Sequence, residues 1–252
     1  VTKSRIAWTE RVWNPVTGCT KVSAGCKNCY AEAIAHRYWG ERKFADVRTH
    51  PERLDAPLHW RKPSRVFVNS MSDLFHEDVP DEFIMEVFNM MAAAKQHTFQ
   101  ILTKRPRRMS ELLQNWGVEF PNVWLGVSVE NQEQALSRIP YLIATPASVR
   151  WLSVEPLLGP MAFSANLKTV KMGATMYRSI DWVVVGGESG ANHRPMEMAW
   201  LESVVRQCRD SWVPVFVKQD SGRFPGKQGR IPNELWIKEY PADVDPRPSP
   251  VA

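Results

Sequence analysis

Six short apolar runs, each closing on polar or glycine residues, constrain the fold of this chain more than any other feature. They are RVFVNSMSD (65–73), TFQILTKRP (98–106), NVWLGVSVE (122–130), VRWLSVEP (149–156), DWVVVGGESG (181–190) and VPVFVKQD (213–220). Each carries β-branched or aromatic residues early and reads as a fully buried strand. Between them, DEFIMEVFNMMAAAKQ (81–96), NQEQALSRIPYLI (131–143) and MEMAWLESVVRQCRD (196–210) show helical spacing, with Asp81 and Asn131 placed as N-caps. Strands alternating with helices imply a parallel sheet with right-handed crossovers. With a further strand expected around a cysteine-bearing loop near residue 20, the pattern predicts an α/β fold. Its expected form is a single-domain parallel (β/α) barrel or partial barrel of about 6–8 strands, not a flat doubly wound sheet. The domain is expected over residues 1–241, and ADVDPRPSPVA (242–252) as a disordered tail.

Polar residues collect at the C-terminal ends of these runs: Asn69, Ser70 and Asp73; Lys104 and Arg105; Ser128 and Glu130; Ser153 and Glu155; Glu188; Lys218. In barrels of this type that face carries the site, because the strand-to-helix loops converge there. Helix caps and loop chemistry explain such residues one at a time. They do not explain three strand ends that finish in glutamate (SVE, SVE and GGE). The paired Gly186 and Gly187 suit a sharp turn or a close backbone approach to a ligand. Neither a dinucleotide fingerprint nor a GxxxxGK[ST] phosphate loop is present.

The loop VTGCTKVSAGCKNCY (16–30) holds Cys19, Cys26 and Cys29, three of the four cysteines in 252 residues. No apolar run reaches the ~18 residues that would span a bilayer, and the first residues lack the apolar block of a signal peptide. The expected location is therefore the cytoplasm, where clustered thiols serve metals or catalysis rather than disulfides. Zinc is one reading, with His36 completing a Cys3His set. A cubane iron–sulfur cluster on three thiolates is the other, leaving one iron open to a chelating ligand. Gly18, Ser23, Ala24 and Gly25 supply the small residues such a loop needs. Cys208, on an expected helix, reads as a small buried hydrophobe.

A barrel with three cysteines in its first loop and polar strand ends around them resembles the radical S-adenosylmethionine enzymes. The spacing here is C-x6-C-x2-C with Tyr30 following, where the common form has C-x3-C-x2-C with an aromatic before the last cysteine. The chain is also similar, over roughly residues 8–240, to the phage and bacterial three-cysteine-motif proteins. The shared segments are WNPVTGCTKVSAGCKNCYAE, VFVNSMSDLFHEDVP, ILTKRP, WLGVSVE, LSVEPLLGP and VVVGGESG. The resemblance implies a 4Fe–4S cluster on Cys19, Cys26 and Cys29, S-adenosylmethionine on the open iron, and an electron donor such as flavodoxin or ferredoxin. It implies cofactor contacts from Asn69, Ser70 and Asp73 to the methionine amine, and from Lys104 or Arg105 to its carboxylate. Ser128 and Glu130 fall to the ribose, and Glu155, Gly186, Gly187 and Glu188 to the remaining cofactor or substrate side. The residues that catalyse the substrate step are not indicated.

A formal charge of +5 is compatible with a polyanionic partner. Basic residues gather in HWRKPSR (59–65), TKRPRR (103–108) and VKQDSGRFPGKQGR (217–230). The expected substrate is a nucleic acid or nucleotide that is modified or repaired, with Arg107, Arg108, Lys218, Lys227 and Arg230 on phosphate and Trp60 or Phe224 stacked on a base. Two alternatives remain open. One is a nucleic-acid-binding protein whose cluster or zinc is structural; the other is an acid–base enzyme using the strand-end glutamates.

Overall fold

Seven parallel strands form one sheet in the computed structural model, which describes residues 4, 6–172 and 175–241. The tail expected at 242–252 lies outside the described residues. The strands are β1 (Arg11–Trp13), β2 (Arg65–Val68), β3 (Thr98–Thr103), β4 (Val123–Ser128), β5 (Val149–Val154), β6 (Trp182–Val185) and β7 (Val215–Val217). Their order in the sheet is their order in the chain. Every crossover therefore steps the same way, and connections of one hand put the helices on one face. The sheet curls as a half-barrel in a single α/β domain, as the alternation of strands and helices predicts.

The helices are α1 (Tyr30–Tyr38), α2 (Asp81–Ala93), α3 (Pro106–Trp116), α4 (Gln132–Ala144) and α5 (Met198–Asp210). Asn131 caps α4, its side chain accepting from the Gln134 amide at 3.0 Å. Asp81 is not a cap: α2 begins at Asp81, and Pro80 holds the cap position. The expectation also passed over α3, reading its first turn only as a basic patch. Pro106 at the helix start and Gly117, with φ of 62° just past its end, are the signals for it. Its buried residues, Pro106, Met109, Ser110 and Leu113, recur at helical spacing. Burying Met109 and Leu113 stabilises the helix by roughly 1.5–3 kcal/mol each. Cys208 is fully buried on α5 within the helix-side core, as a small hydrophobe would be.

Both sheet faces are apolar, which is why the strands read as continuous apolar runs. Val66, Val68, Phe99, Ile101, Val127 and Val185 face the helices. Phe67, Trp124, Trp151, Trp182 and Phe216 form the concave face and pack with Trp8. Trp8 meets Trp151 edge-on at 5.1 Å, and Trp151 meets Trp182 at 5.5 Å. These indoles fill the barrel floor, so open volume is left at the C-terminal mouth. No helix among the described residues is long and apolar enough to cross a membrane.

Candidate metal and cofactor site

The chain enters the mouth directly after β1. A two-residue ribbon (Val16–Thr17 with Arg48–Thr49) leads to Cys19, a 3-10 turn carries Cys26, and Cys29 occupies the cap position of α1. All three cysteines are free thiols and half-buried. They line one cavity of about 150 Å³ together with Asn69, Ser70, Asp73, Lys104 and Ser128, walled by Phe67 and Leu102. A second cavity of about 180 Å³ is lined by Ser153, Glu155, Gly187, Glu188 and Lys218, and shares Cys29, Lys104 and Ser128 with the first. The lining follows strand parity. Each strand's concave-face positions continue past its end, from Leu102 to Lys104, from Ser153 to Glu155 and from Phe216 to Lys218.

Three carboxylates expected to meet a ligand are instead engaged in holding loops. The Asp73 oxygens accept from the Thr103 hydroxyl (2.7 Å), the amides of Phe75 and Lys104 (both 3.0 Å) and Arg105 Nη1 (3.4 Å). Glu130 has no exposed surface. One of its oxygens accepts from the Gly25 amide at 3.1 Å, and the other pairs with buried Arg138 at 3.0 Å. Glu188 accepts from Asn28 Nδ2 at 2.8 Å and from the backbone and guanidinium of Arg194 at 2.8 and 2.9 Å. Burial disfavours its ionisation, but the hydrogen bonds from Arg194 and Asn28 outweigh that and hold the carboxyl below the usual glutamate range. Glu130 and Glu188 therefore clamp the cysteine loop at Gly25 and Asn28. The assignment of Glu130 to a ribose is corrected accordingly.

The glycine pair lies close against its own chain. A Cβ on Gly187 would lie 2.3 Å from the Ser221 amide, and one on Gly186 would lie 3.0 Å from Glu155 Oε1. Close passage of the chain after β7 explains Gly187 without a ligand. Ser70 is also occupied: its hydroxyl donates to Asn14 Oδ1 and its carbonyl accepts from the Tyr30 hydroxyl at 2.6 Å.

Other polar groups remain turned toward the cavities. Lys104 Nζ donates to Ser128 Oγ at 3.2 Å, and no carboxylate pairs with it among the described residues. Ser153 lies beside Ser128 in register. Lys218 pairs with Glu155 at 3.0 Å. Asn69 adopts the left-handed conformation (φ 62°), its Oδ1 accepting from the Val16 amide while its buried Nδ2 has no partner among the described residues.

The expected nucleic-acid contacts scatter. Trp60 lies at the opposite end of the sheet, against His97, which precedes β3, and under the guanidinium of Arg11, the first residue of β1. Trp60 thus lies away from the cysteine cavity. Arg107 pairs with Glu111 on α3, and Arg108 donates to the His76 and Val79 carbonyls and pairs with Asp81. Arg230 pairs with Asp220 at 2.8 Å and caps the Met196 carbonyl, a structural duty. Lys227 is exposed, in the same loop as exposed Phe224, which Arg223 overlies at 5.8 Å. His36 is exposed on α1 and does not line the cysteine cavity, so the Cys3His set is not assembled. Among the described residues, no three His, Cys, Asp or Glu side chains converge to hold a single metal ion.

Arg138 and Arg194, which anchor the two clamping glutamates, escaped the sequence reading, because nothing in their spacing marks them. Arg105 was seen, but for a ligand carboxylate. The structure binds it to Asp73, Glu77 and Thr20 and sets its Nη1 3.6 Å from Cys19 Sγ.

With three thiols, two clamping glutamates and a lysine at one barrel mouth, the family can be stated. The model of a protein family of unknown function, DUF5131, matches residues 3–235. The chain belongs to that family. No curated protein and no solved structure matches it.

Proposed function

We propose that this chain holds a 4Fe–4S cluster on Cys19, Cys26 and Cys29 and uses S-adenosylmethionine beside it to modify a nucleic acid or nucleotide. The observation that carries the reading is the juxtaposition of two cavities, one bearing all three thiols and the other lined by strand-end polar groups, with Cys29, Lys104 and Ser128 common to both. A cubane spreads its three sulfur ligands over separate irons, so the lack of a single-ion site among the described residues does not conflict with it. When bound, the pair of cofactors supplies one-electron cleavage of the sulfonium and abstraction of a substrate hydrogen. The chain's own part is placement. Glu130 and Glu188 fix the cysteine loop, and Phe67 and Leu102 give the thiol cavity an apolar wall. Lys104 offers its charge to an anionic ligand group. Asn69 Nδ2, beside the same cavity, is a donor without a partner among the described residues. Lys227, Arg223 and Phe224 present two cations and an aromatic to a single strand. A flavodoxin- or ferredoxin-type donor would supply the electron.

A second reading is a nucleic-acid-binding protein with a structural cluster. It gains from one observation: of the three strand-end glutamates that argued for catalysis, Glu130 and Glu188 hold loops instead. One experiment separates the two. Anaerobically prepared protein is expected to be brown and to contain iron and sulfide. Cys19→Ala, Cys26→Ala and Cys29→Ala should lose both, while Cys208→Ala keeps them. Adding S-adenosylmethionine should change the electron paramagnetic resonance of the reduced centre. An unchanged spectrum with full iron selects the structural reading, and iron-free protein rejects both cluster readings. For the substrate, binding to single-stranded DNA or RNA should weaken with salt at a log–log slope of about −0.7 per phosphate contacted. Substituting Lys227 and Arg223 should flatten it.

A further inference from the structure

We propose that Arg105 sets the reduction potential of the centre at the barrel mouth by donating a hydrogen bond to the Cys19 sulfur. The proposal rests on the cluster reading above and adds a residue that acts through a ligand rather than as one. Arg105 Nη1 lies 3.6 Å from Cys19 Sγ, and the side chain is only 9% exposed. By contrast, the Cys26 sulfur has one hydrogen-bond partner among the described residues, the Ser23 hydroxyl at 4.0 Å.

The guanidinium is fixed on every side. Its Nε donates to Glu77 at 2.6 Å, its Nη1 also reaches Asp73 at 3.4 Å, and its Nη2 donates to Thr20 Oγ1 at 2.8 Å. Thr20 is held in turn by buried His76, whose Nε2 lies 2.8 Å from the same hydroxyl. The backbone leaves equally little freedom, because the Arg105 amide donates to Thr103 Oγ1 at 2.8 Å, and that hydroxyl donates to Asp73. A charged N–H pinned in this way cannot swing out to water.

Hydrogen bonds to sulfur and the net charge around a centre are the terms through which a protein moves an iron–sulfur potential. A donor on the thiolate stabilises the electron-rich, reduced state, and nearby carboxylates disfavour it. In the half-buried mouth both effects are screened less than at the surface.

A purely mechanical role, in which Arg105 only ties the loop to Glu77 and Asp73, is the competing account. It predicts lost iron, not a shifted potential. Two variants separate the accounts because they act with opposite sign. Arg105→Lys keeps a charge but lacks the fork that reaches the sulfur while holding three other partners. Glu77→Gln leaves the guanidinium on Cys19 and removes a carboxylate from its far side, where Glu77 is 64% exposed.

The experiment is a redox titration of anaerobically reconstituted protein, followed by electron paramagnetic resonance, with iron quantified for each variant. The expected result is a more negative midpoint for Arg105→Lys and a less negative one for Glu77→Gln, both at wild-type iron content. Wild-type midpoints in both iron-loaded variants would overturn the proposal and leave the cluster reading standing. Arg105→Lys protein that loses its iron bears out the mechanical account and overturns the proposal. Wild-type protein that takes up no iron would overturn the underlying reading, and the proposal with it.

Discussion

Replacing Glu130 by Ala tests whether the cysteine loop is clamped as described. The substitution leaves Arg138 Nη1, with a side chain 4% exposed, bonded only to the Ser128 carbonyl at 2.7 Å, and leaves the Gly25 amide without its acceptor. Removing one partner of a buried ion pair costs about 3–5 kcal/mol, because an uncompensated charge stays behind. For a chain of this size each kcal/mol moves the melting temperature by roughly 2–4 °C, so a fall of about 6–20 °C is expected. The assay is thermal and guanidinium unfolding followed by circular dichroism, with hydrogen exchange at the Gly25 amide as the local readout. Glu130→Gln keeps an acceptor for Gly25 and should fall between wild type and Ala. The double variant Glu130→Leu with Arg138→Met removes both charges and should recover more than half of the loss. A Glu130→Ala protein within ~1 kcal/mol of wild type, with Gly25 exchange unchanged, would refute the clamp.

Three further predictions concern stability. Burial depresses His50, His76 and His97; Glu188 and Asp220 lie below their usual ranges because hydrogen bonds from Arg194 and Asn28, and from Arg230, outweigh burial; and Glu77 falls to about 2, chiefly through its hydrogen bond with Arg105. A depressed folded-state pKa gives stability that is present above the unfolded value and lost as pH falls, so unfolding midpoints should decline below about pH 6.5 and more steeply below about 4.5. Exposed Glu77 contributes less to this than its shift suggests, and a midpoint flat from pH 7 to 4 would contradict the argument. Gly126→Ala would bring a Cβ to 2.4 Å from the fully buried Trp151 ring and should destabilise by about 1–3 kcal/mol, read by chemical denaturation. Trp212, exposed and held at φ 58° beyond the end of α5, stands where glycine is the usual residue, so Trp212→Gly should stabilise by about 0.5–1 kcal/mol in the same assay.

What the sequence determined is whatever follows from local period and from residue type. β-Branched runs alternating with helical spacing gave a parallel sheet, and period-two parity at and just past the strand ends set Lys104, Ser128, Ser153, Glu155 and Lys218 around one mouth. The three cysteines were legible as a group because they crowd into eleven positions of one loop. The tertiary structure decided which polar groups are free. Asp73, Glu130 and Glu188 look alike as strand-end carboxylates, but whether their oxygens meet a ligand depends on Arg105, Arg138 and Arg194. Arg138 and Arg194 reach them from a helix face and a loop whose approach no spacing rule encodes. The tertiary structure likewise decided where Trp60 sits, since sequence shows that an aromatic stands among basic residues but not which end of the sheet it joins. The contact between Arg105 and Cys19 crosses 86 positions of chain. Pairings at that separation are fixed only when the sheet curls and brings the β1 and β3 loops together, because the energy that orders them comes from packing the whole barrel.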